Sequence, residues 1–368
     1  MSISVVTHRR TLHRIPEQED HLPKTCGYVR SILEPLNCKI TAPTPSSVCA
    51  FFDAGKIETV AFRADMDALP VTECTGLPFA SEHPGTMHAC GHDGPTAMLL
   101  ALAEYVSGHL KELPRNVLLI FQPAEERPGG AQPICETGIL TQLRVTRIFG
   151  MHLWPKLPFG QVFSRPGPLM AQANEVTVTI TGKSVHLSRA SEGLDALTAA
   201  TEYLRRSYAM VGALPAEEPR AFLFGKMNSG TARNAVSAHT VMEGSLRTYQ
   251  EETFQFCRGQ LKLIGQAIAE ETGCTVDVHL SDGYPAVWNH EGLYESICDG
   301  LGQDSLHHLE VPALAAEDFS FYQKEVPGIF FFLGIGDTPE LHAQDFNFDD
   351  ETILPIGVEF LKKLLMLG

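Results

Sequence analysis

Met87-His88-Ala89-Cys90-Gly91-His92-Asp93 is the stretch around which this chain is organised. Cys90 and His92 are separated by one residue, so a thiolate and an imidazole can bind one divalent ion or two adjacent ions. Pro95 and the apolar run after it predict a buried helix that begins here, with proline near its first turn. A buried cysteine and a hydrogen-bonded histidine are also common in cores without metal. The stretch alone therefore leaves a metal site and ordinary packing as alternatives.

A pair of carboxylates precedes this stretch. Asp65 and Asp67 follow the strand predicted over Thr59–Phe62, which a turn at Asp53-Ala54-Gly55 joins to the strand predicted over Ser47–Phe52. One interpretation is a polar strand end that leads into a turn. The other is a carboxylate that orients a metal-bound histidine. The spacing favours neither interpretation.

Two later strands are also followed by candidate ligands. Asn116–Phe121 is predicted as a central strand, and Glu125 and Glu126 come after it. Arg147–Met151 is predicted as a short strand that ends before His152. Ligand sites form at the carboxyl ends of strands in open α/β sheets, where one glutamate can bind a metal while the other faces a bound water. A solvated acidic turn is the alternative, but three successive elements that supply such residues favour a metal site.

Composition excludes several classes of protein. The 368 residues allow one large domain or two, and the net charge of −16 argues against nucleic acid or an anionic membrane as a partner. Nine cysteines without paired spacing predict a reducing compartment rather than a disulfide framework. The N-terminus lacks the apolar region of a signal peptide, and the apolar runs are too short to span a bilayer. We therefore expect a cytoplasmic protein.

The pattern changes after Arg165–Pro168, which is predicted as a linker. Strands are predicted over Glu175–Thr181, Ala221–Lys226, Thr240–Arg247 and Thr275–Leu280, and helices over Asp195–Met210 and 254–268. Their order, β-α-β-β-α-β, matches a ferredoxin-like unit inserted into the first domain. The predicted boundaries are 1–170 and 285–368 for the first domain and 171–284 for the insertion.

The last part of the chain returns to the first domain. Ala315–Phe319 precedes a short helix-like piece, Gly328–Gly334 is predicted as a buried strand, and Ile353–Leu367 is predicted as an amphipathic helix. His342 follows the buried strand. A single histidine at such a place is usually not a ligand, so His342 is a candidate only in combination with the earlier residues.

Six motifs in order resemble one branch of a known enzyme family. They are R-A-D-M-D-A-L-P, M-H-A-C-G-H-D, F-Q-P-A-E-E-x-P-G-G-A, G-M-H-L-W-P, A-E-D-F and the final L-H. The branch is the amidohydrolases of the two-metal aminoacylase/carboxypeptidase metallopeptidase family, which includes hippurate hydrolase, N-acetyldiaminopimelate deacetylase and auxin–amino acid conjugate hydrolases. The resemblance runs from about Arg9 to the C-terminus. It implies an α/β fold, with a zinc-peptidase-like mixed-sheet α/β/α catalytic domain and an inserted ferredoxin-like α+β lid or dimerisation domain.

The resemblance also implies roles for single residues. The metal ligands would be Cys90, His92, Glu126, His152 and His342. Cys90 stands where many relatives outside this branch have a bridging carboxylate. Glu125 would be the general base, and Asp67 a carboxylate that supports the ligands.

Three residues of the inserted domain resemble substrate-site positions. His186 resembles a histidine that reaches the partner subunit's active site and stabilises the oxyanion, and Asn234 resembles a substrate-contacting asparagine. Arg247 resembles a position that binds a substrate carboxylate in some relatives. Taken without the resemblance, the segments around His186 and Asn234 favour simple turns. After His186 the branch usually has a proline and a second histidine, but Ala190 and Ser191 stand here.

The implied activity is hydrolysis of the amide bond of N-acyl amino acids. It would use two divalent metal ions, with zinc as the first choice and manganese, cobalt or nickel as alternatives. The P-G-G-A after Glu126 is similar to the N-acetyldiaminopimelate deacetylase subgroup. We expect a small-molecule substrate and a homodimer or higher homo-oligomer. The alternatives are a dipeptidase or carboxypeptidase, and a binding protein without catalysis, which the presence of all five ligands and Glu125 argues against.

Overall fold

The computed structural model describes residues 4–217, 219–302 and 305–367, which contain ten α-helices and fourteen strands. The helices are α1 Val5–Arg14, α2 Pro23–Leu33, α3 Asp93–His109, α4 Ala131–Glu136, α5 Ile139–Gln142, α6 Ala196–Gly212, α7 Glu251–Thr272, α8 Glu291–Leu301, α9 Ser320–Glu325 and α10 Asp350–Met366. The strands are β1 Lys39–Thr41, β2 Val48–Phe52, β3 Thr59–Asp65, β4 Asn116–Gln122, β5 Val145–Trp154, β6 Val162–Ser164, β7 Gly167–Met170, β8 Gln172–Thr181, β9 Ala221–Ser229, β10 His239–Thr248, β11 Thr275–Leu280, β12 Val287–Asn289, β13 His307–His308 and β14 Gly328–Gly334. Short 3₁₀ helices span Leu110–Glu112 and Leu187–Glu192.

Internal contacts divide the chain into two compact units. The first is built from the N-terminal stretch up to Leu169, from Val287–Val311 and from the stretch that begins at Asp318. The second is built from Met170–Ala286 and Pro312–Glu317. None of the helices in the described part of the chain combines the length and the apolar character needed to cross a membrane.

A mixed eight-stranded sheet lies at the centre of the first unit. Its strand order is β1-β2-β4-β3-β5-β14-β6-β13. The middle strands are parallel, because β3 pairs in parallel with β4 and β5, and β14 pairs in parallel with β5. Every residue of β3, β4 and β14 is buried. Continuous apolar runs such as Val117–Phe121 are typical of strands covered on both faces, and the predicted mixed sheet is confirmed.

Helices cover both faces of this sheet. Phe330 and Phe331 are adjacent in β14, so their side chains point to opposite faces. The Phe331 ring packs on Phe360 of α10, with centroids 5.1 Å apart. The Phe330 ring packs on Phe319, directly before α9, with centroids 5.0 Å apart. The unit is therefore an α/β/α layered structure, as the sequence predicts.

The ends of several helices follow from side-chain caps. The Asp195 side chain accepts the backbone N–H of Leu197 at the start of α6, and Asp349 accepts that of Thr352 at the start of α10. Such a bond satisfies a backbone donor that has no partner within the helix. α7 ends at Gly273, whose φ of 72° is accessible to glycine without strain.

Two element boundaries predicted in the first unit are wrong. The strand predicted over Arg147–Met151 continues to Trp154 as β5, because β14 pairs with β5 from Ile148 to Trp154, including Phe332 opposite His152. His152 therefore lies within a strand and not after it. The segment predicted as a linker, Arg165–Pro168, runs into strand β7, which forms a two-stranded sheet with β12.

The second unit has the predicted β-α-β-β-α-β order, formed by β8, α6, β9, β10, α7 and β11. Its four strands form an antiparallel sheet in the order β11-β8-β10-β9. Alternate residues of β8 are buried, including Val176, Val178 and Ile180, and they pack in one core with Tyr203 of α6 and Leu261 of α7. The predicted ferredoxin-like arrangement is confirmed.

Candidate metal centre

The first unit brings five predicted ligands to the same edge of its sheet. Cys90 and His92 lie on the loop that opens α3, and Glu126 lies on the loop that follows β4. His152 lies near the carboxyl end of β5, and His342 follows β14. Because β4, β5 and β14 run parallel within the sheet, their carboxyl ends meet at one edge.

The five side chains form two groups of three that share Cys90. Cys90, His92 and His152 form the first group, and Cys90, Glu126 and His342 form the second. Within each group the candidate ligand atoms lie within 4.8 Å of one another. Two of the separations are 3.5 Å from Cys90 Sγ to His152 Nε2 and 3.1 Å from His342 Nε2 to Glu126 Oε1. Atoms about 2.0–2.3 Å from a common ion have separations of this size.

Both histidines of the first group are oriented by backbone carbonyls. His92 Nδ1 donates to the carbonyl oxygen of Asp67 at 2.9 Å, and His152 Nδ1 donates to that of Leu153 at 2.7 Å. A hydrogen on Nδ1 leaves Nε2 as the metal-binding nitrogen. Within the described residues, His92 Nε2 is buried and has no hydrogen-bond partner. This donor set fits a bound cation.

The charges around the candidate ligands also favour a bound cation. Burial opposes the charged form of His92, but the Asp65 carboxylate and Cys90 outweigh it and raise the pKa of His92 well above its usual value. Cys90 and Glu126 raise the pKa of His342 to about 10. Burial would raise the pKa of Glu126, yet the hydrogen bond from His342 lowers it to about 2. A divalent cation would displace protons from these histidines, because metal ligands bind in their deprotonated forms.

Asp67 supports the loop that carries the two glutamates. Its Oδ1 accepts the backbone N–H of Glu125 and its Oδ2 accepts that of Glu126, each at 3.0 Å. Asp67 Oδ1 also lies 3.5 Å from His92 Nδ1. One buried carboxylate thus contacts residues of two ligand-bearing loops.

Glu125 and Asp65 lie next to the first group. Glu125 is buried, and its Oε2 lies 3.9 Å from His92 Nε2. Asp65 Oδ2 lies 3.7 Å from the same nitrogen and accepts a hydrogen bond from Arg63 at 2.9 Å. The Arg63 guanidinium and the nearby His92 lower the pKa of Asp65 to about 2 although burial acts against ionisation. The spacing of Asp65 and Asp67 left their roles open and the family resemblance assigned a role only to Asp67, but both lie beside the centre.

The backbone is strained at two places in the centre. Ala124, directly before the two glutamates, has φ of 59°, and His342 has φ of 68°. Residues other than glycine rarely adopt these values, and such strain is concentrated at functional sites. The His342 N–H donates to the carbonyl oxygen of Ala89 at 2.8 Å, which fixes this C-terminal residue beside the loop that carries Cys90.

The three other predicted site residues lie in the second unit. His186 is exposed and precedes the 3₁₀ helix Leu187–Glu192, and its Nδ1 lies 2.8 Å from Ser188 Oγ. Asn234 is also exposed, and its carbonyl oxygen accepts the N–H of Leu187 at 2.9 Å. Arg247 lies in β10, half-buried, and donates to Ser245 Oγ at 3.2 Å.

Sequence reasoning missed a buried polar network behind the glutamate loop. Arg63 donates to Gln122 Oε1 at 2.8 Å and to Asp318 Oδ1 at 2.7 Å. Tyr322 donates its hydroxyl to the same Gln122 oxygen at 3.0 Å. The available signals were an arginine within a buried strand and the A-E-D-F motif, to which no role was assigned.

Comparison with known proteins identifies the family. The model of peptidase family M20/M25/M40 matches residues 61–367. The chain belongs to this family. Among curated M20 relatives, an uncharacterized hydrolase of Staphylococcus epidermidis is 32% identical, over 98% of this chain and 97% of that protein. The N-acetyldiaminopimelate deacetylase of Lacticaseibacillus paracasei is also 32% identical, over 95% of this chain and 94% of that protein.

A solved M20 structure has the same fold. A Bacillus subtilis protein described as a dinuclear metal binding peptidase from the M20 family aligns with a TM-score of 0.85 at 31% identity. The alignment covers 98% of this chain and 96% of that one. The protein is therefore a hydrolase of the M20 family with the fold of a dinuclear metal-binding peptidase, and the predicted resemblance is confirmed.

Proposed function

We propose that this M20 hydrolase cleaves the amide bond of N-acyl amino acids and releases a carboxylate and a free amino acid. The observation that carries the proposal is the pair of ligand groups that share Cys90, with Glu125 beside them. The cofactors would be two divalent ions, one held by Cys90, His92 and His152 and the other by Cys90, Glu126 and His342. Zinc is the first choice because of the thiolate, and manganese, cobalt or nickel are alternatives.

The side chains have separate tasks in this proposal. When bound, the two ions would supply Lewis acidity for the amide carbonyl and lower the pKa of a water molecule. Glu125 would accept a proton from that water and donate it to the leaving amine. Its buried carboxylate lies 3.9 Å from His92 Nε2, and its backbone N–H donates to Asp67. Asp67 therefore positions the general base and a ligand together.

The second unit would supply the remaining site residues. We assign 1–170 and 285–368 to the catalytic domain and 171–284 to a lid or dimerisation domain. His186 would come from the partner subunit and donate a hydrogen bond to the substrate oxyanion, so the active species would be a homodimer or a higher homo-oligomer. Asn234 and Arg247 would contact the substrate. The nine cysteines are all free, which supports the cytoplasm as the compartment.

The hydrolase has two candidate classes of substrate, N-acyl amino acids and small peptides. The 32% identity with the L. paracasei deacetylase favours an N-acyl amino acid, with N-acetyldiaminopimelate as one member of the class. The second candidate is a dipeptidase or carboxypeptidase, because the matched family is a peptidase family and the B. subtilis structure is described as a peptidase. The two classes differ in the amino group of the substrate, which is acylated in one and free in the other.

Hydrolysis of a substrate panel tests the proposal. The panel contains N-acetyl, N-benzoyl and long-chain N-acyl amino acids, N-acetyldiaminopimelate and dipeptides, with zinc or manganese added. We expect activity on the acylated substrates that is lost in Glu125→Ala and retained in Glu136→Ala, a variant of a glutamate on α4 outside the centre. Activity on dipeptides alone would make the protein a peptidase, and unchanged activity in Glu125→Ala would refute the assigned base.

A further inference from the structure

The loop with both glutamates, residues 123–131, closes on itself. The N–H of Gly129 donates to the carbonyl oxygen of Ala124 at 2.9 Å. Gly130 packs directly on Pro123, since a Cβ at Gly130 would lie 1.9 Å from the Pro123 oxygen. The two ends of the loop are therefore in contact, and a shift of Gly130 would displace the segment that leads to Glu125 and Glu126.

A buried aspartate fixes the far end of this loop. Asp318 is fully buried, and its Oδ2 accepts the backbone N–H groups of Gly130 and Ala131, both at 2.9 Å. Gln122 Nε2 donates to its two oxygens at 2.9 and 2.8 Å. Arg63 donates to Oδ1 at 2.7 Å and balances the charge. Asp318 lies 188 positions from Gly130 in the chain, so these bonds are not a local turn.

Asp67 and Asp318 hold the loop at its two sides. Asp67 accepts the N–H groups of Glu125 and Glu126, and Asp318 accepts those of Gly130 and Ala131. Arg63 also links Asp318 to Asp65, whose Oδ2 lies 3.7 Å from His92 Nε2. The loop is thus held between two buried carboxylates, of which only Asp67 has an assigned role.

We propose that Asp318 is a positioning residue that holds the loop in the conformation in which Glu126 binds its ion. The proposal rests on the proposed function, because it needs two bound ions. Glu126 belongs to the group with Cys90 and His342 and is absent from the group with Cys90, His92 and His152. Loss of Asp318 should therefore weaken binding of the ion at the group with Glu126 more than binding of the other ion.

A purely structural role would have different consequences. A buried aspartate paired with arginine can stabilise a core without any effect on a metal. Asp350 is such a residue in the same unit, since it is buried and accepts hydrogen bonds from Arg9 at 3.1 Å and from Arg10 at 2.9 and 3.0 Å. Asp350→Asn is therefore the matched control for Asp318→Asn.

Calorimetric titration of the metal-depleted, full-length proteins with zinc is the test. Asp318→Asn should reduce the affinity for one of two zinc ions by about 10–100-fold, which is the usual effect of losing a partner that supports a ligand. Asp350→Asn should bind both ions as the unmodified protein does. Glu126→Gln should weaken the binding of the same ion. The double variant, Asp318→Asn with Glu126→Gln, should lose less binding free energy than the sum of the two single losses, because both substitutions act through the Glu126 side chain.

The other outcomes overturn the inference. Asp318→Asn could bind both zinc ions as tightly as the unmodified protein, or its affinity for both ions could fall equally. Asp350→Asn could show the same loss of affinity, or the losses of binding free energy in the double variant could be additive. Failure of the proposed function is read separately in the unmodified protein, which would then bind fewer than two ions or hydrolyse no substrate of the panel.

Amide hydrogen exchange in the unmodified protein tests the same coupling without a variant. If the loop conformation and the ion stabilise each other, zinc must slow exchange at Gly130 and Ala131, since such coupling is reciprocal. The Glu34 amide at the end of α2, which donates to the carbonyl oxygen of Arg30, is the reference. Equal slowing at Glu34, or none at the loop, would refute the role of Asp318.

Discussion

Cys90 is the one side chain that belongs to both ligand groups. We expect Cys90→Ala to weaken the binding of both ions, whereas His152→Ala should weaken the binding of one ion and leave the binding of the other unchanged. The reason is that each group keeps two ligands without Cys90, while loss of His152 leaves the second group complete. Zinc content after dialysis and a zinc titration measure this. Two tightly bound ions in Cys90→Ala would refute a shared ligand.

His13 gives the folded protein a pH-dependent stability. It is buried, with Nδ1 2.7 Å from Asp93 Oδ2 and Nε2 3.4 Å from Glu73 Oε1. Burial disfavours its charged form, but the two carboxylates outweigh burial and raise its pKa to about 9. Because the pKa is higher in the folded state, the stabilisation is fully present below pH ~6.5 and is lost as the pH rises through ~9.

We therefore expect the difference in free energy of unfolding between the metal-free protein and its His13→Gln variant to shrink as the pH rises. The titrating part amounts to about 3 kcal/mol. Urea denaturation at pH 6, 7.5 and 9.5 measures it. Leu12→Ala, which removes a buried apolar side chain from the same helix, should cost the same at every pH. A difference for His13→Gln that grows with pH would contradict the raised pKa.

Among the elements, α3 and α10 pack closely at one glycine. A Cβ at Gly357 of α10 would lie 2.1 Å from Met98 Sδ of α3 and 3.0 Å from Leu333 Cδ2 of β14. Since Met98 is fully buried, Gly357→Ala should reduce the free energy of unfolding by about 1–3 kcal/mol. In Gly108→Ala, which lies in α3 with nothing within 4 Å of the added Cβ, the free energy of unfolding should instead rise by up to about 1 kcal/mol. Equal effects in thermal unfolding would exclude the close contact as the cause.

The sequence predicts elements well where burial alone defines them. The apolar runs of β4 and β14 and the alternating pattern of β8 identify these strands without other information. Short strands such as β1, β6 and β13 escape prediction because only their pairing partners define them. The same reason explains why β5 extends past Met151, since its pairing with β14 decides where it ends.

Site residues also divide into those that a local pattern predicts and those that only contacts distant in the chain define. The predicted ligands stand directly before or after strong patterns, so their positions at one sheet edge can be anticipated. The contacts of Asp318 with Arg63 join residues 255 positions apart, and no local pattern predicts them. That Cys90 belongs to both ligand groups is likewise a property of the fold, although the family resemblance indicates a bridging position.

For the whole molecule, mixed oligomers test whether His186 acts across subunits. Glu125→Ala and His186→Ala should each be nearly inactive alone. Unfolded and refolded together, they should regain part of the activity, because a mixed dimer holds one site with an intact Glu125 and an intact His186 of the partner subunit. Hydrolysis of an N-acyl amino acid measures the recovery. No recovery in a mixture shown to contain mixed dimers would place His186 in the site of its own chain or outside any site.

The position of β14 in the sheet has a consequence for synthesis on the ribosome. β14 lies between β5 and β6, yet Gly328 is translated long after Trp154, roughly ten to thirty seconds later at about 5–20 residues per second. Throughout that interval the nascent chain carries β5 with an open, apolar edge, which is a template for aggregation. Recovery of soluble protein should therefore depend on the supply of chaperones, while an ion of the group with Cys90, Glu126 and His342 can bind only after His342 has emerged.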